Sequence, residues 1–88
     1  MYIIKSITGK DGLERTDGRY PLRKGCTGNI YYLNSGDVVI FEYIKDNEGN
    51  DKSGYLRTST VDDYEEYENG VIVYTLNSVY YLQKVEDE

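Results

Sequence analysis

The chain has 88 residues, enough for one domain, with ten Lys and Arg against sixteen Asp and Glu and a net charge of −6. That balance argues against non-specific nucleic-acid binding, which draws on Lys and Arg displacing counterions from phosphates, and against an anionic membrane surface. The single cysteine, Cys26, excludes an internal disulfide and a thiolate metal cluster, and the absence of histidine removes the commonest general base and metal ligand.

Tyr2 to Ile7 reads as a short strand, with Ile3, Lys5 and Ile7 on one face and Tyr2 and Ile4 on the other. It has neither the charged start nor the apolar run of a signal peptide, and no stretch reaches the ~18 apolar residues of a membrane span. The expectation is a soluble cytoplasmic protein. Thr8 to Gly25 is a long connection punctuated by glycines at 9, 12, 18 and 25. Inside it Asp17-Gly18, between Leu13–Thr16 and Arg19–Leu22, predicts a two-residue hairpin turn and hence a flap, with Pro21 on an edge strand because it cannot donate to a ladder.

Ile30 to Leu33 and Val38 to Ile44 are runs of β-favouring residues separated by the turn formers Asn34-Ser35-Gly36-Asp37. They predict a central antiparallel hairpin, with Val39, Phe41 and Tyr43 on one face and Glu42 on the other. Asp46 to Gly54 is the most polar turn. Its Asp46–Asp51 portion places oxygen ligands at alternate positions, but an EF-hand needs Gly at the sixth position and Glu at the twelfth, where this chain has Asp51 and Arg57. A polar hairpin turn is expected.

Tyr55 to Val61 reads as a strand with Leu56, Thr58 and Thr60 on one face. Asp62 to Glu68 (DDYEEYE) either extends it or forms a helical turn. Asn69-Gly70 turns tightly into Val71–Leu76, Asn77-Ser78 breaks the chain, and Val79–Val85 is the last strand. Residues 86–88 read as a frayed acidic tail. Ile4, Ile30, Val39, Phe41, Leu56, Val73 and Leu82 are the expected core. The whole of 1–88 is one all-β domain of five to six antiparallel strands with a long early flap hairpin.

That order, ending in GVIVYTLNSVYYLQKVE, resembles the small SH3-like barrels, whose fourth strand passes through a one-turn break into the fifth. The chain lacks the paired tryptophans and acidic flap of peptide-binding SH3 domains, and its flap is basic, so the resemblance implies topology and not proline-rich peptide binding. An OB-like barrel is the alternative, disfavoured because no helix candidate lies between the third and fourth strands. TSTV followed by TLNSVYYL also resembles a group of short uncharacterised bacterial proteins, which implies a cytoplasmic bacterial or prophage context and no activity.

Charge is polarised along the chain. Residues 10–24 carry Lys10, Arg15, Arg19, Arg23 and Lys24 against three acids, whereas residues 42–70 carry nine acids against Lys45, Lys52 and Arg57. Eleven tyrosines add rigid, amphipathic contact area. These features point to a non-enzymatic module that binds another protein between the basic flap (Arg15, Arg19, Tyr20, Arg23) and the acidic segment with Tyr64, Glu65 and Tyr67. One alternative is an acidic inhibitor, such as a mobile-element anti-defence protein, whose carboxylates imitate phosphates. Another is nucleic-acid binding through the flap and its tyrosines. Self-association through tyrosine-bearing edge strands is a further expectation. Cys26, between Gly25 and Thr27 at a strand start, reads as a small packing residue, although Arg23 and Lys24 nearby would lower its pKa if it were exposed. No catalytic residue, cofactor or metal is expected.

Overall fold

The computed structural model describes residues 1–85; the expected acidic tail at 86–88 lies outside the described residues. Seven strands form one antiparallel sheet: β1 (Tyr2–Thr8), β2 (Thr27–Tyr32), β3 (Ile40–Lys45), β4 (Tyr55–Arg57), β5 (Val61–Tyr67), β6 (Gly70–Thr75) and β7 (Val79–Lys84). Their order is β4-β3-β2-β1-β7-β6-β5, so the sheet is open, with β4 and β5 at its two edges. The first and last strands pair in its middle.

One core joins both halves. Ile4, Ile7, Cys26, Val39, Phe41, Leu56, Val61, Val71, Val73, Tyr80 and Leu82 pack together, and Tyr2, Tyr20, Ile30, Leu33, Tyr43 and Tyr64 border them. Six of the seven expected core residues are buried, and Ile30 is half-buried against the rest. Simple alternation puts Ile4 and Ile7 on opposite faces of β1. A register shift between Ile4 and Ser6 in the pairing with β7 brings both into the core instead, because a bulge reverses the facing of everything beyond it.

The central hairpin forms as its residues dictate. Gly36 at φ 85° supplies the turn, and the Tyr32 hydroxyl donates to Asp37 Oδ2 at 3.0 Å. The same turn holds the start of β5: Gly36 N–H donates to Val61 O and Val61 N–H to Asp37 O. The sheet thus curls until one edge strand meets the opposite half.

Two expectations are corrected. Seven strands replace five or six, because Tyr55–Val61 is interrupted after Arg57 and DDYEEYE becomes a strand of its own. At the interruption Thr58 turns inward, and its hydroxyl accepts from Val39 N–H and donates to Ser59 O. The flap does not fold about Asp17-Gly18. The chain turns earlier, at Gly9–Leu13, with a bridge from Thr8 to Glu14. Asp17-Gly18 instead leads into a single helical turn, α1 (Tyr20–Arg23), with Pro21 in its first turn, where a missing N–H costs nothing. The tight turn expected at Asn69-Gly70 forms, with Gly70 outside the left-handed region. A Cβ there would collide with the Leu82 carbonyl oxygen, so the glycine serves close strand packing.

Candidate functional site

The flap is anchored by its own candidate residues. Two guanidinium groups lie over the Tyr20 ring, Arg15 at 4.3 Å and Arg23 at 5.2 Å from its centroid. Arg15 also donates to Asn77 O at 2.8 Å and Ser78 Oγ at 3.3 Å, and it forks onto Asp17. That bond holds the Asp17 carboxyl below its ordinary range and raises the Arg15 guanidinium. Ser78 Oγ donates to the Tyr20 hydroxyl at 3.0 Å, and Arg23 donates to the Tyr80 hydroxyl at 3.0 Å. Tyr80 is buried, and burial pushes its phenol up. Arg15, Tyr20 and Arg23 therefore fasten the flap to the β6–β7 connection, and Arg15 has little capacity left for a ligand.

Arg19 is different. It lines a groove of about 450 Å³ between α1 and β4, together with Leu22, Arg23, Tyr43 and the consecutive residues Lys52 to Arg57. Four cations line it and no carboxylate does. The side chains of Arg19, Lys52 and Arg57 form no ion pair or hydrogen bond among the described residues. Lys52 Nζ rests 4.8 Å from the centroid of Tyr43, whose phenol is pushed up to about 12 by burial. Leu22 and Tyr55 are largely exposed beside them. Tyr55 also meets Tyr31 at 5.8 Å between ring centroids, and Glu42 across the ladder raises its phenol.

The acidic residues lie elsewhere. Glu65 and Tyr67 share one face of β5, and the Tyr67 hydroxyl donates to the Glu65 carboxylate, which raises the Tyr67 phenol. Tyr64 turns to the opposite face, against the core, because residues three apart in a strand face opposite ways. Asp62 pairs with Lys10 at 3.2 Å. No side-chain hydrogen bond or ion pair among the described residues links Arg15, Arg19, Tyr20 or Arg23 to Tyr64, Glu65 or Tyr67.

Lys52, Tyr55 and Arg57 were missed as partners of Arg19 because they sit in the segment whose total charge is strongly negative. Only the β3–β4 hairpin brings them beside α1. Two other features are accounted for locally. Asp46 Oδ1 accepts from the Glu48 and Asn50 amides at 2.9 and 3.0 Å, closing the polar turn and keeping that carboxyl below its ordinary range. Cys26 is fully buried, and burial pushes its thiol up, which overrides any influence of Arg23 and Lys24.

No helix among the described residues is long and apolar enough to cross a membrane. No family model, no curated protein and no solved structure matches this chain.

Proposed function

We propose that this chain is a non-enzymatic module that binds an acidic surface of another protein through the groove between α1 and β4. One observation carries the reading: four cations converge on that groove, with no carboxylate in its lining, in a chain of net charge −6. Setting those four aside, the rest of the sequence carries ten net negative charges. With a Debye length of about 8 Å at physiological salt, a short acidic segment feels mainly the groove. The molecule measures 32 × 27 × 22 Å, so a long polyanion would also have to pass its acidic surfaces. This favours a local acidic patch on a protein over DNA or RNA. Exposed Tyr55 and Leu22 add contact area of the kind that protein interfaces use.

We read the sheet order as SH3-like, in keeping with a binding module. β7-β1-β2-β3-β4 follow one another in the sheet, a long flap joins β1 to β2, and the β5–β6 hairpin is inserted before the last strand. Among the described residues the one helical turn lies between β1 and β2, and no helix lies between β3 and β4, where the OB-like alternative calls for one. The buried free thiol of Cys26 fits a reducing, cytoplasmic compartment.

The test is affinity capture from lysate of the source cell at low and moderate salt, with and without nuclease, beside the variant Arg19→Glu/Arg57→Glu. A protein retained after nuclease, weakened by salt and lost with the variant supports the proposal. Retention of nucleic acid that the variant abolishes overturns it in favour of a nucleic-acid site. Equal capture by both forms removes the groove from the function.

A further inference from the structure

The groove has a floor that charge alone does not describe. Six consecutive residues, Lys52 to Arg57, line one wall, and both inward residues (Leu56) and outward residues (Tyr55, Arg57) contribute. A wall of that composition is the open edge of β4 itself. The register fixes which backbone groups it presents. Tyr43 N–H donates to Gly54 O at 3.0 Å and Thr58 N–H to Val39 O at 3.2 Å, so Phe41 and Leu56 midway form the next hydrogen-bonded pair. Tyr55 and Arg57 then occupy the alternate positions, where amide and carbonyl point away from β3. No hydrogen bond holds either amide among the described residues.

An open strand edge is a template for another strand. Natural proteins blunt such edges, and β5 at the far side of this sheet is blunted by Asp62, Asp63, Glu65, Glu66 and Glu68 at or beside it. The β4 edge is flanked by Arg19, Lys52 and Arg57, whose side chains make no ion pair among the described residues although Asp46 and Asp37 lie within electrostatic reach of Lys52 and Arg57, and Leu22 lines the same groove. From these observations we infer that the occupant is an extended acidic segment of a partner protein, added to β4 as an eighth strand. Its backbone pairs with the outward amides and carbonyls of Tyr55 and Arg57. Its carboxylates meet Arg19, Lys52 and Arg57, the charge complement the groove lacks. Backbone pairing supplies affinity without demanding a particular sequence, and the cations select acidic segments. The inference rests on the proposed function and specifies how that site reads its partner.

The probe is a capped peptide alternating glutamate with valine, titrated into isotope-labelled protein and followed by amide shifts and amide hydrogen exchange. A second probe has the same sequence with every amide N-methylated, which keeps the charge and removes the donors. The expected result is that the first peptide shifts Tyr55 and Arg57 and slows exchange of their amides. The methylated peptide should bind more weakly by about tenfold or more, the weight of one or two backbone hydrogen bonds. Equal binding of both peptides with unchanged exchange at Tyr55 and Arg57 overturns strand addition, while leaving the cationic groove as an acidic-partner site. Binding of neither peptide overturns both readings. If a single-stranded oligonucleotide then shifts Arg19 and Arg57, the site belongs to nucleic acid. Concentration-dependent dimerisation without any peptide, with the same two amides protected and β5 protected with them, makes a second copy the occupant and overturns the acidic partner.

Discussion

The two edges of the sheet, β4 and β5, meet solvent in opposite ways. β5 runs for seven residues and carries its carboxylates outward along the chain, so another strand approaching it meets a row of like charges. β4 is only three residues long, and its neighbourhood is cationic although the molecule is acidic. One edge carries like charges along its length, whereas the other, on the function proposed above, takes a ligand of opposite sign. Net charge describes β5 well and describes the candidate site wrongly. A docking surface is a local quantity, and the average over a chain conceals it.

The harshest way to break the comparison is to remove the glycine on which each half depends. A Cβ at Gly28 would collide with the Glu42 carbonyl oxygen and sit 2.8 Å from Phe41 Cε1; a Cβ at Gly70 would collide with Leu82 O. Both obstacles include backbone, which cannot rotate away. Gly28→Ala should cost at least about 3 kcal/mol by disrupting the β2–β3 ladder that carries β4, and Gly70→Ala should cost a similar amount on the β5 side. Urea denaturation monitored by tyrosine fluorescence measures both. A loss below about 1 kcal/mol would mean the strands are not so closely apposed.

The next effect concerns α1, beside the groove. Tyr20→Ala removes the ring that Arg15 and Arg23 lie over, together with the hydroxyl that accepts from Ser78, and should cost about 2–3 kcal/mol. Tyr20→Phe keeps the ring and should cost about 1 kcal/mol. Alkaline pH acts nearby. The Tyr43 phenol stands at about 12 in the fold against an ordinary 10.0, so the fold favours its neutral form. That stability is fully present below pH 10 and is lost as pH rises towards 12. Tyr80, also raised by burial, acts in the same direction. Tyr43→Phe should therefore flatten the decline of the melting temperature between pH 10 and pH 12.

Much of this architecture was legible in the sequence. The turn at Asn34–Asp37, the break at Asn77-Ser78 and the alternation through Val39, Phe41 and Tyr43 are local signals, and local hydrogen bonds decide them. The flap was not legible, because Asp-Gly serves a helix entrance as readily as a hairpin, and here Tyr20 finds its partners at Ser78 and Arg15. Pro21 was read only as an edge-strand residue, but proline also fits a first helical turn, and tertiary contacts chose that. The candidate groove was half legible. Arg19 stood out in the basic flap, but Arg57 lies 38 positions further on, inside an acidic stretch, and only pairing of β3 with β4 brings it into the same lining.

Charge reversal then sharpens the contrast without unfolding anything. Arg57→Glu and Arg19→Glu should each weaken the alternating glutamate peptide by about tenfold, roughly 1.4 kcal/mol, because each replaces an attraction with a repulsion. Stability should stay within about 0.5 kcal/mol, since both side chains are exposed and make no ion pair among the described residues. Glu65→Lys and Glu68→Lys on the opposite edge should leave the peptide's affinity nearly unchanged, which isothermal titration calorimetry would show. Comparable losses at both edges would mean that the peptide responds to the field of the whole molecule and not to the groove.

The smallest single effect is expected where the sequence is most charged. Glu65 holds the Tyr67 hydroxyl, but both are exposed, so Glu65→Gln should change stability by no more than about 0.5 kcal/mol. The protection that β5 enjoys is collective: five carboxylates flank one edge, and removing one leaves four. Neutralising Asp63, Glu65, Glu66 and Glu68 together should alter the monomer's melting little, yet it should expose a tyrosine-bearing edge to its own kind. Light scattering at rising concentration would then show association in the quadruple variant and none in Glu65→Gln. If the quadruple variant stays monomeric, the β5 edge is shielded by its geometry and not by its charge, and the asymmetry with β4 is one of shape.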